Sequence, residues 1–436
     1  MKKNSLDGIT LLRFSHSFEQ GGGVEEYLQN LNKILLCRNK MTIIQMHLSN
    51  DIKPNEERTE FIGKGTLIKV ALKPTFERTN WNSLNKNKRS NHYKQVVKQV
   101  VRNSILYNPF LEKILTKYRR KYRIANIGIQ AINAPSVCNR ILETHPVDLI
   151  VLHSMGGEDT SQVIDISINK KIPYIYINHF NNSRFQHSSV REQIRDAAGI
   201  SGVSSVKLPK YLKRKFVPVY DAVDTEFYYT DNAKEVDKKI DGSVIFLPAR
   251  ISPNKGHGDM IHLLGILKKR EVNTNMVFAG RLDSSEFVSF LKEQITANGL
   301  ENRVFFVGEC NAKQLRDWYN RSDILVLPSR SEGFPRVVLE SQAMQRPVVA
   351  YDVGGVSEAL KVNKSGYVCD YGDIEGLAHK VTNLLFNESL KKSFGKCGRE
   401  FVLENFNLTR LAQRHESFYL KAMKESSYRK NQMQQE

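Results

Sequence analysis

Between residues 244 and 369, short apolar runs alternate with longer amphipathic ones, and few architectures accommodate that alternation. The apolar runs lie at 244–247, 275–278, 304–307, 324–327, 347–351 and 367–369. They are rich in Val, Ile, Leu and Phe and too short for buried helices, so they read as strands covered on both faces. Helical patterns fall between them at about 256–270, 286–298, 311–320 and 335–345, with another at 373–386. Strands alternating with helices imply a parallel, doubly wound sheet. The first half repeats the theme, with strands expected at 9–14, 41–46, 67–72, 147–152, 174–177 and 199–203 and a helix at 24–36.

At 436 residues the chain has length for two domains, each with its own core. The expected organisation is a first Rossmann-like domain at 1–230, a charged linker at 231–239, and a second Rossmann-like domain at 240–405. A C-terminal helix from 406 follows and ends in a tail, 426–436, expected to be disordered. A hydrophobic content of 40% and a charged content of 25% are globular values. No apolar run is long enough to span a bilayer, and residues 1–8 lead into a strand-like segment without a secretory apolar region. Cys37, Cys138, Cys310, Cys369 and Cys397 are dispersed and lack metal-ligand spacing, as in a reducing, cytoplasmic compartment.

The net charge of +19 has a local source. From Arg78 to Arg123 there are 13 basic residues opposed only by Glu112. This stretch belongs to a helical insertion, at about 75–141, that interrupts the strand–helix rhythm. Val96, Val97, Val100, Val101, Ile105 and Leu106 fall at helical spacing among its lysines. Two uses of the apolar face stay open: docking on an anionic membrane surface, which would make the chain peripheral on the inner face of the cell membrane, or packing on the domain's own core. Nucleic acid is a further anionic partner that +19 would attract, but no recognition module accompanies Tyr93, Tyr107, Tyr118 and Tyr122.

Chemistry concentrates where strands end. The run 323–328 leads into Ser329-Arg330-Ser331-Glu332-Gly333-Phe334-Pro335, with Glu340 about a turn into the next helix. Open α/β sheets bind ligands at such strand ends, and Glu332 and Glu340 are suited to grip hydroxyls there. Ala249-Arg250 and Lys255-Gly256 join the second domain's first strand to its first helix. They bring a guanidinium and an ammonium to a helix N-terminus, where phosphate is favoured. Gly21-Gly22-Gly23 after the first strand and Gly354-Gly355 after 347–351 let backbone approach a ligand. His179 follows a strand. No Asp-x-Asp pair stands in a convincing loop, so no metal or other cofactor is expected.

These ordered motifs, together with Pro347-Val348-Val349-Ala350 and Glu358, resemble the retaining GT-B glycosyltransferases of family 4. The likeness is nearly continuous over the second half and weaker over the first. It implies a GT-B fold, two Rossmann-like domains facing across a cleft. It also implies that Arg250 and Lys255 hold the diphosphate of a nucleotide sugar. Glu332 would contact the donor sugar, with the N–H groups of Gly333 and Phe334 beside it, and Glu340 the ribose. Gly22 and Gly23 would form the N-terminal glycine loop and bind the donor, His179 would lie near the transferred sugar, and the C-terminal helix, 406–436 with its tail, would cross back onto the first domain. The implied activity is metal-independent, hexosyltransferase-type transfer to a glycan or lipid-linked acceptor of cell-envelope polysaccharide, with retention of configuration. A nucleic-acid-binding or DNA-glycosylating protein, or another nucleotide-sugar enzyme on this scaffold, are the alternatives. The chain departs from the family pattern at Ser341–Arg346, at Ala279–Asp283 and at Asp221-Ala222-Val223-Asp224, where Asn-Gly-Val-Asp is usual.

Overall fold

The computed structural model describes residues 5–18, 23–48, 57–72, 133–153, 157–180, 182–186, 188–236 and 239–432. Gly22 and most of the basic insertion lie outside the described residues. The first domain runs β1 (Thr10–Phe18), α1 (Gly23–Arg38), β2 (Thr42–Leu48), β3 (Glu57–Ile62), β4 (Gly65–Leu72), α2 (Ala134–Thr144), β5 (Leu149–Leu152), α3 (Glu158–Asn169), β6 (Tyr174–Asn178), α4 (Ser188–Arg195), β7 (Gly199–Gly202) and β8 (Phe216–Pro218). They form one sheet in the order β3-β4-β2-β1-β5-β6-β7-β8. Every pairing is parallel except β3 with β4. The strand order reverses between β1 and β5, so the loops after these strands open on one crevice.

The second domain comprises β9 (Ser243–Pro248), α5 (His257–Lys269), β10 (Thr274–Ala279), α6 (Ser285–Ala297), β11 (Val304–Gly308), α7 (Ala312–Arg321), β12 (Ile324–Leu327), α8 (Arg336–Ala343), β13 (Val348–Tyr351), β14 (Gly366–Cys369), α9 (Ile374–Phe386) and α10 (Glu388–Asn405). Its sheet is wholly parallel, in the order β11-β10-β9-β12-β13-β14. Numbered within the domain this is 3-2-1-4-5-6, the doubly wound dinucleotide-binding order, with its switch point between β9 and β12. Local signals set the helix starts. Ser284 caps α6 by accepting from the Phe287 N–H at 3.1 Å, and Asn311 with Gln314 forms a capping box on α7.

A last helix, α11 (Leu408–Gln432), packs across α1 of the first domain. It continues through Gln432, so the tail expected to be disordered from Ser426 is helical over most of its length. Lys, Glu, Arg and Gln are good helix formers, no Gly or Pro intervenes, and Lys421 and Glu425 pair one turn apart at 3.9 Å. Where the chain crosses between domains, the Val223 N–H donates to the Phe406 carbonyl at 2.9 Å. One apolar cluster runs from Leu11 and Tyr27 through Val223, Phe406 and Leu411 into Phe246 and Leu325, so this face of the first sheet and the second domain share a core. Phe14, Ile150 and Tyr176 build a separate core on the other face.

Across the seam, the Glu358 carboxylate of the second domain accepts from the Ser204 hydroxyl at 2.6 Å, the Ser205 N–H at 3.0 Å, the Ser205 hydroxyl, and the Tyr220 hydroxyl at 3.3 Å. Glu358→Ala leaves these donors without their acceptor, an effect of about 1–3 kcal/mol. Small-angle scattering should show a larger radius of gyration for this variant at unchanged helical content; equal radii would contradict the assignment of Glu358 to domain closure.

Candidate active site

The reversal of strand order between β9 and β12 places the loop after β9 beside the loop after β12. The Arg330 N–H donates to the Asn254 carbonyl at 2.9 Å, tying the two loops together. Lys255 and Glu332, one from each loop, meet with Nζ 2.7 Å from Oε1. Their side chains are 27% and 10% exposed, so the pair is only partly screened by solvent. Arg250 stands at the mouth with its guanidinium 3.7 Å from Asp283. Lys255 immediately precedes Gly256 and the start of α5, which directs free N–H groups and the positive end of its dipole at the same space. The Ser252 and Ser329 hydroxyls and His257 Nε2 are buried nearby without hydrogen-bond partners. Burial lowers the His257 pKa to about 4, so its imidazole is neutral. Cations and orphaned donors beside a helix N-terminus suit an oxygen-rich anion.

Gly333 lies against the first domain: a Cβ there would come within 2.6 Å of the His179 carbonyl oxygen. Among the described residues the Gly333 and Phe334 N–H groups have no hydrogen-bond partner. The Phe334 ring packs at 5.4 Å from both Tyr220 and Phe406, filling the junction of the domains. Glu340 lies deeper, 5% exposed, and its carboxylate accepts from the Tyr319 hydroxyl at 2.7 Å. Burial raises its pKa. Arg336, one turn earlier, stands 3.7 Å from Glu340, 2.6 Å from Glu26 on α1 and 3.8 Å from Asp221. Burial pushes the Asp221 carboxyl up to about 7, against the pull of Arg336.

On the facing side, His179 follows β6 and His153 follows β5, and the two rings share a 2.7 Å hydrogen bond between His153 Nδ1 and His179 Nε2. Tyr27 contacts His179 edge-on at 4.7 Å, and its hydroxyl bonds to His415 of α11. Beneath them Arg13 is fully buried in β1, held by the Asn32 amide oxygen and the Tyr419 hydroxyl. Gly23 begins α1, and Gly22 falls outside the described residues. The structure thus brings Lys255, Glu332, Gly333 and His179 to one cleft, with Arg250 at its rim and Glu340 below its floor. Motif reading missed Arg336, Asp221 and His153. The Asp221 departure from Asn-Gly-Val-Asp was visible, but its partner lies 115 positions away (336 − 221).

Residues 230–401 match the family described as glycosyl transferases group 1. The second domain is a glycosyl transferases group 1 domain. Similar curated proteins are the N-acetyl-alpha-D-glucosaminyl L-malate synthase of Bacillus anthracis, 31% identical over 36% of this chain and 39% of that protein, and the lipopolysaccharide core biosynthesis mannosyltransferase LpcC of Rhizobium leguminosarum bv. viciae, 31% identical over 37% and 46%. The capsular polysaccharide biosynthesis glycosyltransferase CapM of Staphylococcus aureus is 27% identical over 47% of this chain and 54% of its own. The matched stretches therefore span about half or less of each of these relatives. Over the whole chain the fold is GT-B. A glycosyltransferase from Rickettsia africae ESF-5 aligns with 97% of this chain and 100% of its own at a TM-score of 0.63 and 18% identity. Anabaena HepE, solved with UDP, aligns with 93% and 98% at 0.63 and 17%.

Across the cleft the first domain faces the cations with uncharged imidazoles. Burial, reinforced by Arg13, lowers the His179 pKa to about 3. His153 and His415 are held well below the usual histidine value by burial and by the neighbouring His179 and Arg13, with Arg414 adding to the effect on His415. A depressed folded-state pKa contributes stability that is complete above the ordinary value near 6.5 and is lost as pH falls toward the folded value. Asp221 and Glu340, with raised values, pull the other way as pH falls, so the histidine contribution must be isolated by substitution. His415→Gln should flatten the pH dependence of urea stability between about pH 6.5 and 4 by up to about 1.4 kcal/mol per pH unit. Parallel curves for variant and wild type would contradict it.

Proposed function

We propose that the chain transfers a sugar, with retention of configuration, from a nucleoside-diphosphate sugar to a glycan or lipid-linked acceptor of cell-envelope polysaccharide. The observation that carries this is the 2.7 Å Lys255–Glu332 pair at the switch point, with Arg250 at the rim and the α5 N-terminus behind it. A cation for the diphosphate and a carboxylate for sugar hydroxyls belong to one donor. HepE, a neighbour in fold, was solved with UDP, which is consistent with a nucleotide there.

In the proposed reaction the diphosphate lies against the α5 N–H groups, Arg250 and Lys255. Charge develops on the leaving oxygen as the bond from the anomeric carbon to phosphate breaks, and both electrons stay with the phosphate. Fixed cations and helix N–H groups stabilise that charge without reorganisation. The acceptor hydroxyl attacks the same face, and its proton passes to the departing phosphate oxygen. Glu332 orients the sugar, the N–H groups of Gly333 and Phe334 stand beside it, and Glu340 takes the ribose. His179 lies beside the sugar, and Gly22 and Gly23 bind the donor through their backbone. No step calls for a metal, because the protein's own cations neutralise the leaving group. Among the described residues no helix is long and apolar enough to cross a membrane. Access to a lipid-linked acceptor is assigned to the basic insertion docking at the inner face of the cell membrane.

Thermal-shift screening of UDP-, GDP-, ADP- and dTDP-sugars identifies the donor, since a ligand that binds only the folded state stabilises it by mass action. Transfer from that donor should fall by about 100-fold or more in Arg250→Ala and in Glu332→Ala, the scale on which preorganised charge acts. Undiminished turnover in both folded variants overturns the assignment.

A further inference from the structure

His179 and His153 share one proton in the 2.7 Å bond between His153 Nδ1 and His179 Nε2. The bond admits two arrangements. If His179 donated through Nε2, the proton of the neutral His153 would sit on its own Nε2. That atom is buried without a partner, in a residue only 3% exposed, and an orphaned buried N–H is among the rarest features of folded proteins. The fully buried guanidinium of Arg13 exerts a repulsive effect on positive charge at His153, and its own Nε is also unpartnered. In the other arrangement His153 donates from Nδ1, its Nε2 carries a lone pair and no orphaned N–H, and His179 accepts at Nε2. The proton of His179 is then on Nδ1. Among the described residues nothing bonds to that nitrogen, and the residue is partly exposed beside the loop carrying Glu332 and Gly333.

We propose that His153 is a positioning residue that holds His179 as its Nδ1–H tautomer, so that the cleft receives a hydrogen-bond donor rather than a base. The partner this selects is an acceptor atom, a sugar hydroxyl oxygen or a phosphate oxygen of the donor. His179 then takes no proton from the attacking hydroxyl. The inference rests on the placement of His179 beside the transferred sugar in the proposed reaction. The tautomer itself is a property of the free protein.

Long-range proton–nitrogen NMR of the ¹⁵N-histidine-labelled chain reads the tautomer directly. Wild type should show His179 protonated at Nδ1 and bare at Nε2. His153→Phe keeps a ring but removes the bond, so His179 should shift toward the Nε2–H form. His153→Asn, which keeps an amide N–H near the position of Nδ1, should restore the wild-type pattern. With the donor found by thermal shift, His153→Phe should lower kcat by about 10- to 100-fold, the scale on which groups that orient a functional ligand act. The donor KM should change less than about twofold, and His153→Asn should recover most of the loss. Urea unfolding confirms that each variant is folded. An Nε2-protonated His179 in wild type, or an unchanged His179 spectrum in His153→Phe, overturns the proposal. The expected tautomers in a chain that transfers no sugar would instead sink the transfer reaction and leave the role of His153 in fixing His179 standing.

Discussion

The site depends on one close approach of backbone to backbone. Gly333 sits so near the His179 carbonyl that a single methyl group would fall 2.6 Å from the oxygen. Because residue 333 has no side chain, the loop bearing Glu332 can lie directly on the strand end bearing His179. The next layer is built the same way. Gly354 has a left-handed φ of +56°, and a Cβ there would lie 1.8 Å from the Glu332 carbonyl oxygen. Two glycines thus stack the loop after β13, the loop after β12 and the end of β6. Glu332 is held by this stack and by Lys255, and the cleft keeps its width.

Charge is arranged differently on the two sides of that stack. At the rim, Arg250 is half exposed, and Lys255 is matched by Glu332 in a partly dry setting. Deeper, one guanidinium, Arg336, serves Glu26, Asp221 and Glu340, which come from three separate parts of the chain. Removing a buried cation of this kind would leave uncompensated carboxylates, which costs more than the pair contributes. Burial already raises Asp221 and Glu340, so the network balances desolvation against attraction. Because Glu26 opens the first turns of α1 and Glu340 is assigned to the ribose, the same guanidinium joins the donor side of the cleft to the helix that follows the glycine loop.

Much of this was legible in the chain. The six strands of the second domain, the helices between them, and the meeting of Lys255 with Glu332 follow from period, length and position at strand ends. The antiparallel edge strand β3 was not legible, because Glu57-Arg58-Thr59-Glu60-Phe61-Ile62 is charged and mostly exposed and shows no buried apolar run. Strand β8, of three residues, is too short for any pattern. Helix α11 outlasted its expected end because the polar run 426–432, with Arg429, Lys430 and Gln432, has the composition of a disordered tail but holds no Gly or Pro to stop a helix. His153 was invisible for another reason. It lies 26 residues from His179, and only the pairing of β5 with β6 makes the rings neighbours. The same holds for Arg336, two of whose partners, Glu26 and Asp221, belong to the other domain.

The central claim is that one donor spans the cations and carboxylates at the switch point of the second domain. A crystal structure of the chain grown with UDP, and with GDP in parallel, tests it most directly. The diphosphate should lie at the α5 N-terminus between Arg250 and Lys255, with the ribose toward Glu340 and the terminal phosphate facing Glu332. A nucleotide bound elsewhere on the chain, or one whose phosphates point away from Lys255, would contradict the account.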